Sequence, residues 1–267
     1  MSTVTPRPTD AGHPGGRPPS LHSIIPPDPP PAYDPASAIA YTTALSLAAS
    51  GPSQPRARSR HAAILLSRSD KLRIIGFPFC FVALVDAAVM QEWKAGIQEQ
   101  KAPDRQSWEW KLNGKPWTGK GSDTISSRRL IAHVFFILQV NGWHLTSGAD
   151  LSSTSTDKGA IMLRSGPPSY RQIFSIVFNE DDKIRLIDAP TEAIREALES
   201  AIKDTRPFGI QDSGETERGV YQLRLRGNPW SGVSPVPPSH KRNLTFSILS
   251  AMEDEGCDTW VFAYSNT

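Results

Sequence analysis

Asp70-Lys71-Leu72-Arg73-Ile74-Ile75-Gly76-Phe77-Pro78 returns as Asp182-Lys183-Ile184-Arg185-Leu186-Ile187-Asp188-Ala189-Pro190, 112 positions later. Two further blocks follow in the same order. Trp108 to Trp117 matches Tyr221 to Trp230 at a spacing of 113, and Arg128 to Gly142 matches Arg242 to Gly256 at 114. Three collinear blocks separated by single-residue insertions mark an internal duplication. Each copy therefore acts as a control for the other. What both retain belongs to the fold or to a shared surface, and what one copy alone has is private to it.

The repeat divides the 267 residues into a tail at 1–60 and two copies, 61–170 and 171–267, each large enough for its own core. Each copy opens on a hairpin. Ala62 to Leu66 and Phe174 to Phe178 are apolar runs, followed by polar turns and then by the strands of the quoted block. Pro78 and Pro190 end those strands. Ile194, Leu198, Ala201 and Ile202 then recur at helical spacing after Thr191, and Phe79 to Trp93 is the counterpart in the first copy. Trp108, Trp110 and Leu112 alternate with Glu109 and Lys111, as Tyr221, Leu223 and Leu225 do with Gln222 and Arg224, which predicts a third strand with one buried face. A second helix is expected over about 127–140 and 241–254, stopped by Gly142 and Gly256. Trp143 to Leu151 and Ala160 to Arg164 read as further strands, but copy two stops soon after Trp260 to Tyr264. The order β-β-α-β-α-β predicts an α+β fold: a tandem repeat of two homologous two-layer domains, each a mostly antiparallel sheet with helices on one face.

Residues 1–60 hold 13 of the 24 prolines, the composition of a disordered or polyproline-like tail. Within it, Ala36 to Ala49 is free of proline and carries Ile39, Tyr41, Leu45 and Leu47. A helix docking on a domain is one reading of that segment, and disorder is the one carried forward. Pro30-Pro31-Ala32-Tyr33 resembles the Pro-Pro-Xaa-Tyr ligand of WW domains, which implies a WW-domain protein as partner through Pro30, Pro31 and Tyr33.

With 29 Lys and Arg against 27 Asp and Glu, the net charge of +2 lacks the global attraction to polyanions of a dedicated nucleic-acid binder. Cys80 and Cys257 occupy non-equivalent places, so neither a repeated disulfide nor a shared metal site is expected. A reducing intracellular compartment, cytoplasmic or nuclear, is. No secretory leader or membrane span is expected, because the longest nearly apolar stretch, Ile74 to Val85, contains Gly76 and Pro78 and is shorter than the ~18 residues a span needs.

Candidate binding residues come from what the copies share. Gly114 to Trp117 and Gly227 to Trp230 are Gly-Xaa-Pro-Trp blocks. Their Trp117 and Trp230 form either an exposed aromatic platform or caps on the two cores, the latter being commoner for aromatics. Lys71 and Arg73, with Lys183 and Arg185, point from the polar side of the strands. They could grip phosphate, but the strand aromatics lie on the other face and Asp70, Asp182 and Glu109 balance the charge. Arg128 and Arg242 open the second helix on this reading, where an arginine opposes the helix dipole unless it meets an acidic group or an anion.

No His or Cys is shared between the copies. His133 faces Ser247 in the alignment, His144 and His240 lack partners at metal-ligand spacing, and Thr118 to Asp123 lacks the first glycine of a phosphate loop. Nothing calls for a metal or a cofactor. The reading is a non-enzymatic intracellular interaction or adaptor protein. The alternatives are nucleic-acid or polyanion binding through the basic strand faces, which is not favoured, and an enzyme with an interdomain site.

Overall fold

The computed structural model describes residues 60–118, 123–149, 157–205, 209–231, 237–257 and 261–262. The proline-rich tail lies outside the described residues. In the first repeat β1 (His61–Ser67) and β2 (Lys71–Ile75) form the hairpin, followed by α1 (Cys80–Glu92), β3 (Ile97–Asp104), β4 (Ser107–Leu112), α2 (Asp123–Val140), β5 (Trp143–Ala149) and β6 (Asp157–Ser165). The second repeat runs β7 (Ser175–Asn179), β8 (Lys183–Ile187), α3 (Glu192–Asp204), β9 (Ile210–Glu217), β10 (Val220–Leu225), α4 (Pro238–Asp254) and β11 (Val261–Phe262).

Each repeat is a sheet with two helices on one face, and the strand orders are β3-β4-β2-β1-β6-β5 and β11-β7-β8-β10-β9. The fold is α+β, and its duplication is visible strand by strand. Period-2 alternation puts Ile64, Leu66, Leu72, Ile74, Trp110 and Leu112 on the inner face of the first sheet, against Phe81, Val85, Leu130 and Val134 of α1 and α2. The second core repeats this with Ile176, Phe178, Ile184, Leu186, Leu223 and Leu225 against Ile194, Leu198, Leu244 and Ile248. Each such fully buried side chain contributes roughly 1.5–3 kcal/mol relative to exposure.

Three features differ from the sequence reading. Each copy carries one strand more than the alternation showed. β3 and β9 are edge strands exposed over nearly their whole length, so they have no apolar face to betray them. What identifies them is Gly96-Ile97-Gln98, repeated as Gly209-Ile210-Gln211. The second helix of each copy starts earlier, at Asp123 and Pro238. Finally, copy two resolves its missing strand by direct pairing. In the first repeat β6 lies antiparallel between β1 and β5, whereas in the second β11 pairs with β7 itself, in parallel.

The repeats stack. α2 buries thirteen of its residues, nearly all round, whereas α4 buries Leu244, Ile248 and Met252. One side of α2 faces its own sheet. On another, Ile125 packs with Val177, Ile187 and Val220, which sit on the outer face of the second sheet. Phe136 and Val140 extend the seam to Ile173. The α4 counterparts of Ile125, Phe136 and Val140 are Ser239, Ser250 and Asp254, so α4 lacks the apolar seam set of α2, with Phe246 as the exposed apolar residue on that side. Among the described residues, no helix is long and apolar enough to cross a membrane.

Candidate interaction surface

The basic strand positions do share a face, and its cations are engaged by acceptors on neighbouring strands and turns. Glu109 is 1 % exposed and accepts hydrogen bonds from Lys71 Nζ at 2.7 Å and from Arg73 Nε at 2.9 Å, with Lys101 Nζ at 3.7 Å. Burial pushes the Glu109 carboxyl up, but the hydrogen bonds from Lys71 and Arg73 outweigh it and hold the group below its ordinary value. In the second copy Gln222 takes the place of Glu109 and accepts from Arg185 Nε at 2.9 Å. Lys183 pairs with Glu180 and Arg224 with Asp182. A phosphate arriving at either face would have to displace these carboxylates.

The Gly-Xaa-Pro-Trp blocks tie β4 and β10 to the opening hairpins. Leu112 N donates to Asp70 O and Trp117 N to Ser69 O. The second copy repeats both bonds, from Leu225 to Asp182 and from Trp230 to Asp181. Gly114 and Gly227 adopt φ of 81° and 79°, a conformation glycine reaches without strain and which turns the chain across the hairpin. Trp117 is 3 % exposed and its Nε1 donates to Lys71 O at 2.9 Å. Trp230 is partly buried and packs edge-on against Phe178, centroids 4.6 Å apart. The structure thus places Trp117 in the core, where it cannot serve as an exposed platform, and Trp230 against the core at its margin.

Arg128 and Arg242 do not open their helices. Both lie in the second turn, so the dipole argument for an anion falls away. Arg128 is 7 % exposed, whereas Arg242 is exposed, and the two are not equivalent in surroundings. The neighbouring Arg129, which the sequence reading passed over, makes the ion pair at the seam. Its Nε and Nη2 grip Asp188 at 2.8 and 3.0 Å, Nη2 also donates to Arg218 O at 2.8 Å, and Nη1 reaches Glu217 at 3.4 Å. The Asp188 carboxylate holds the guanidinium above its ordinary value. Its counterpart in α4 is Asn243, and that private difference was the available signal.

His133 and His144 are each held by a hydrogen-bond partner. His133 is 3 % exposed with Nδ1 2.9 Å from Glu92, and His144 Nε2 lies 2.6 Å from Pro167 O. Among the described residues, no group of three or more His, Cys, Asp or Glu is placed to hold a metal ion. Cys80 is a free thiol, and Cys257 Sγ donates to Glu255 O at 3.8 Å. The phosphate-loop-like stretch falls largely on residues 119–122, outside the described residues. Pro30, Pro31 and Tyr33 lie outside them too.

Among the described residues the exposed large apolar side chains are Phe79, Met90, Tyr170 and Phe246, and α1, with its N-cap, alone of the helices carries two of them. Aligning the two first helices by their buried residues pairs Phe81 with Ile194, Val85 with Leu198 and Val89 with Ile202. The exposed positions then contrast. Phe79 at the α1 N-cap is 76 % exposed and Met90 is 60 % exposed, with Ala83 exposed and Val82 partly so between them. α3 has Glu192, Lys203, Glu196 and Arg195 at those places. Phe79 leans edge-on over Trp108, centroids 6.0 Å apart. The acidic group on this side, Asp86, accepts from Trp110 Nε1 at 3.0 Å and Gln100 Nε2 at 2.7 Å. α3 by contrast is laced for water. Glu192 pairs with Arg195, Glu199 with Lys203, and Arg195 lies 4.7 Å over the Tyr221 ring. Burial, and then the hydrogen bond to Glu199, raise the Tyr221 hydroxyl, while that same bond lowers Glu199.

A single domain-family model matches the chain at residues 60–164 and again at 172–265. The chain belongs to that domain family. Its two matches coincide with the two sheets and their helices, so the unit of the family is one sheet-and-helix-pair layer. No curated protein and no solved structure matches the chain.

Proposed function

We propose that this chain is a non-enzymatic interaction protein whose first repeat docks an apolar helix of a partner along α1, with Pro30-Pro31-Ala32-Tyr33 as a second contact for a WW domain. The carrying observation is the contrast between duplicated helices, Phe79, Ala83 and Met90 in α1 against Glu192, Glu196 and Lys203 in α3. A solvated helix in this fold has the α3 pattern. Exposed Phe and Met at intervals of whole turns are the anchors that helix-in-groove recognition uses, and the flexible thioether adapts to the incoming surface. Two contact points on one chain strengthen weak individual contacts through effective concentration.

The test replaces the α1 anchors by the residues of the duplicate, Phe79→Glu with Met90→Lys, in the full chain. The expected result is an unchanged melting temperature and loss of those partners, captured by crosslinking, that wild type retains. In parallel, a peptide spanning Ser23 to Ala38 should bind at least one member of a WW-domain panel, and Tyr33→Ala should abolish that binding. Retention of the same partners by the double variant overturns the α1 reading. Steeply salt-dependent retention of the full chain on heparin would favour polyanion binding instead.

A further inference from the structure

The duplication shows what covers the outer face of a sheet in this fold, and the first sheet has the same face without its cover among the described residues. On the second sheet, Val177, Ile187 and Val220 are fully buried beneath α2, a helix that precedes β7 in the chain. The corresponding positions of the first sheet are Leu65, Ile75 and Ser107. Strand register adds Ala63 beside Ile75, and Met162 and Ala160 of β6 beside Ala63 and Leu65. Ala63, Leu65, Ile75 and Met162 are only partly buried, and all four lie outside the core beneath α1 and α2.

We infer that this apolar half-face is the docking site of residues 36–49 of the same chain, laid across it as a helix in the position that α2 occupies on the second sheet. The segment reads Ala36-Ser37-Ala38-Ile39-Ala40-Tyr41-Thr42-Thr43-Ala44-Leu45-Ser46-Leu47-Ala48-Ala49, with no charge, no proline and no glycine. Alanine favours the helix and lets it approach a sheet closely. Ala38, Tyr41, Leu45 and Ala48 fall on one side at helical spacing. As a helix it is about 21 Å long, the scale of a seven-residue strand. Residues 50–60 tether it to β1, and a chain of that length spans up to about 40 Å, so the geometry of α2 preceding β7 is available to it. A second copy stacked head to tail is the competing occupant; α4 offers it one exposed aromatic, Phe246, but has Ser239, Asn243, Ser250 and Asp254 where α2 uses Ile125, Arg129, Phe136 and Val140. This inference is independent of the α1 surface.

Methyl NMR and amide exchange on the full chain test it, because Met90 reports on α1, Met162 on the outer sheet face and Met252 on the second core. In wild type the amides of 36–49 should exchange at least about tenfold more slowly than those of 1–35, independent of chain concentration. Leu45→Pro, which breaks a helix without touching a domain core, should abolish that protection and move the Met162 methyl resonance while leaving Met90 and Met252 in place. Leu65→Lys should likewise release the segment. Exchange of 36–49 as fast as that of 1–35 overturns the inference. So does protection that survives Leu65→Lys, or that falls on dilution, which would assign the face to a second copy. A Leu45→Pro shift at Met90 in place of Met162 would seat the segment on α1 and overturn it as well.

Discussion

Arg129 of the first repeat holds Asp188 of the second through two parallel hydrogen bonds, and Asp188 stands where the first copy has Gly76. Both residues close the second strand of their hairpin at positive φ, 79° for Gly76 and 55° for Asp188. Aspartate tolerates this region better than most residues. Their amides make the same bond, Gly76 N to Gln106 O at 2.8 Å and Asp188 N to Gly219 O at 2.7 Å. The carboxylate thus stands on a turn that both copies share, and the arginine comes from the other copy.

Returning the seam to the sequence of the terminal helix should uncouple the repeats. Arg129→Asn alone should cost about 1 kcal/mol, because the pair is bidentate but about one-third exposed. Ile125→Ser, which empties a seat among Val177, Ile187 and Val220, should cost about 2–4 kcal/mol. Urea unfolding of the double variant is expected to split into two transitions where wild type shows one.

Gly219→Ala should be disproportionately harmful. A Cβ there would lie 2.5 Å from Asp188 Oδ1, and φ is +75°, so the substitution strains the backbone and pushes the carboxylate off Arg129. About 2–3 kcal/mol is expected. Gly214→Ala, which meets nothing within 4 Å on the neighbouring edge strand, should be neutral within about 0.5 kcal/mol. Chemical denaturation of the pair provides the comparison.

Truncating the two block tryptophans should separate their roles. Trp117→Ala removes a ring that is 3 % exposed together with its bond to Lys71 O, at about 3–5 kcal/mol. Trp230→Ala should cost less, about 1.5–3 kcal/mol, since that ring is only partly buried at the core margin. Equal losses measured by thermal unfolding would contradict the burial difference.

Glu109 should make the first repeat acid-sensitive. Its carboxyl is held below the ordinary 4.5, so the ionised form contributes stability above that value, and the contribution fades as pH falls through the lowered folded value. Glu109→Gln, which installs the residue of the second copy, leaves Lys71 and Arg73 without their acceptor charge and should cost about 1–3 kcal/mol at pH 7. The gap between variant and wild type should close as pH drops below about 4. A gap unchanged down to pH 3 would contradict this account.

The duplication, the two cores and the helix faces were readable from the chain alone, because alternation at Leu72, Ile74, Trp110 and Leu112 and helical spacing at Ile194, Leu198 and Ile202 record which side of a local element meets apolar neighbours. The partition of the Trp blocks was only half readable. A Gly-Xaa-Pro-Trp turn states that the chain bends, and the depth of the ring depends on the hairpin it crosses.

Tertiary structure decided the rest. β3 and β9 are held by backbone hydrogen bonds to β4 and β10, which need no particular side chain and leave no apolar alternation, only the repeated Gly-Ile-Gln at their starts. Leu65 and Val177 are similar apolar residues at equivalent positions, yet one is partly exposed and the other buried, because burial of an outer face depends on a helix from another part of the chain. Arg129 and Asp188 are ordinary charges until α2 lies against the second sheet. The sequence alone determined the inner face of each layer, because period-2 and helical spacing mark which side of an element is apolar. The stacking of layers came only with the tertiary structure, because its contacts bring a helix of one repeat against the sheet of the other, as Arg129 meets Asp188, 59 positions later, and no periodicity within either segment records that meeting.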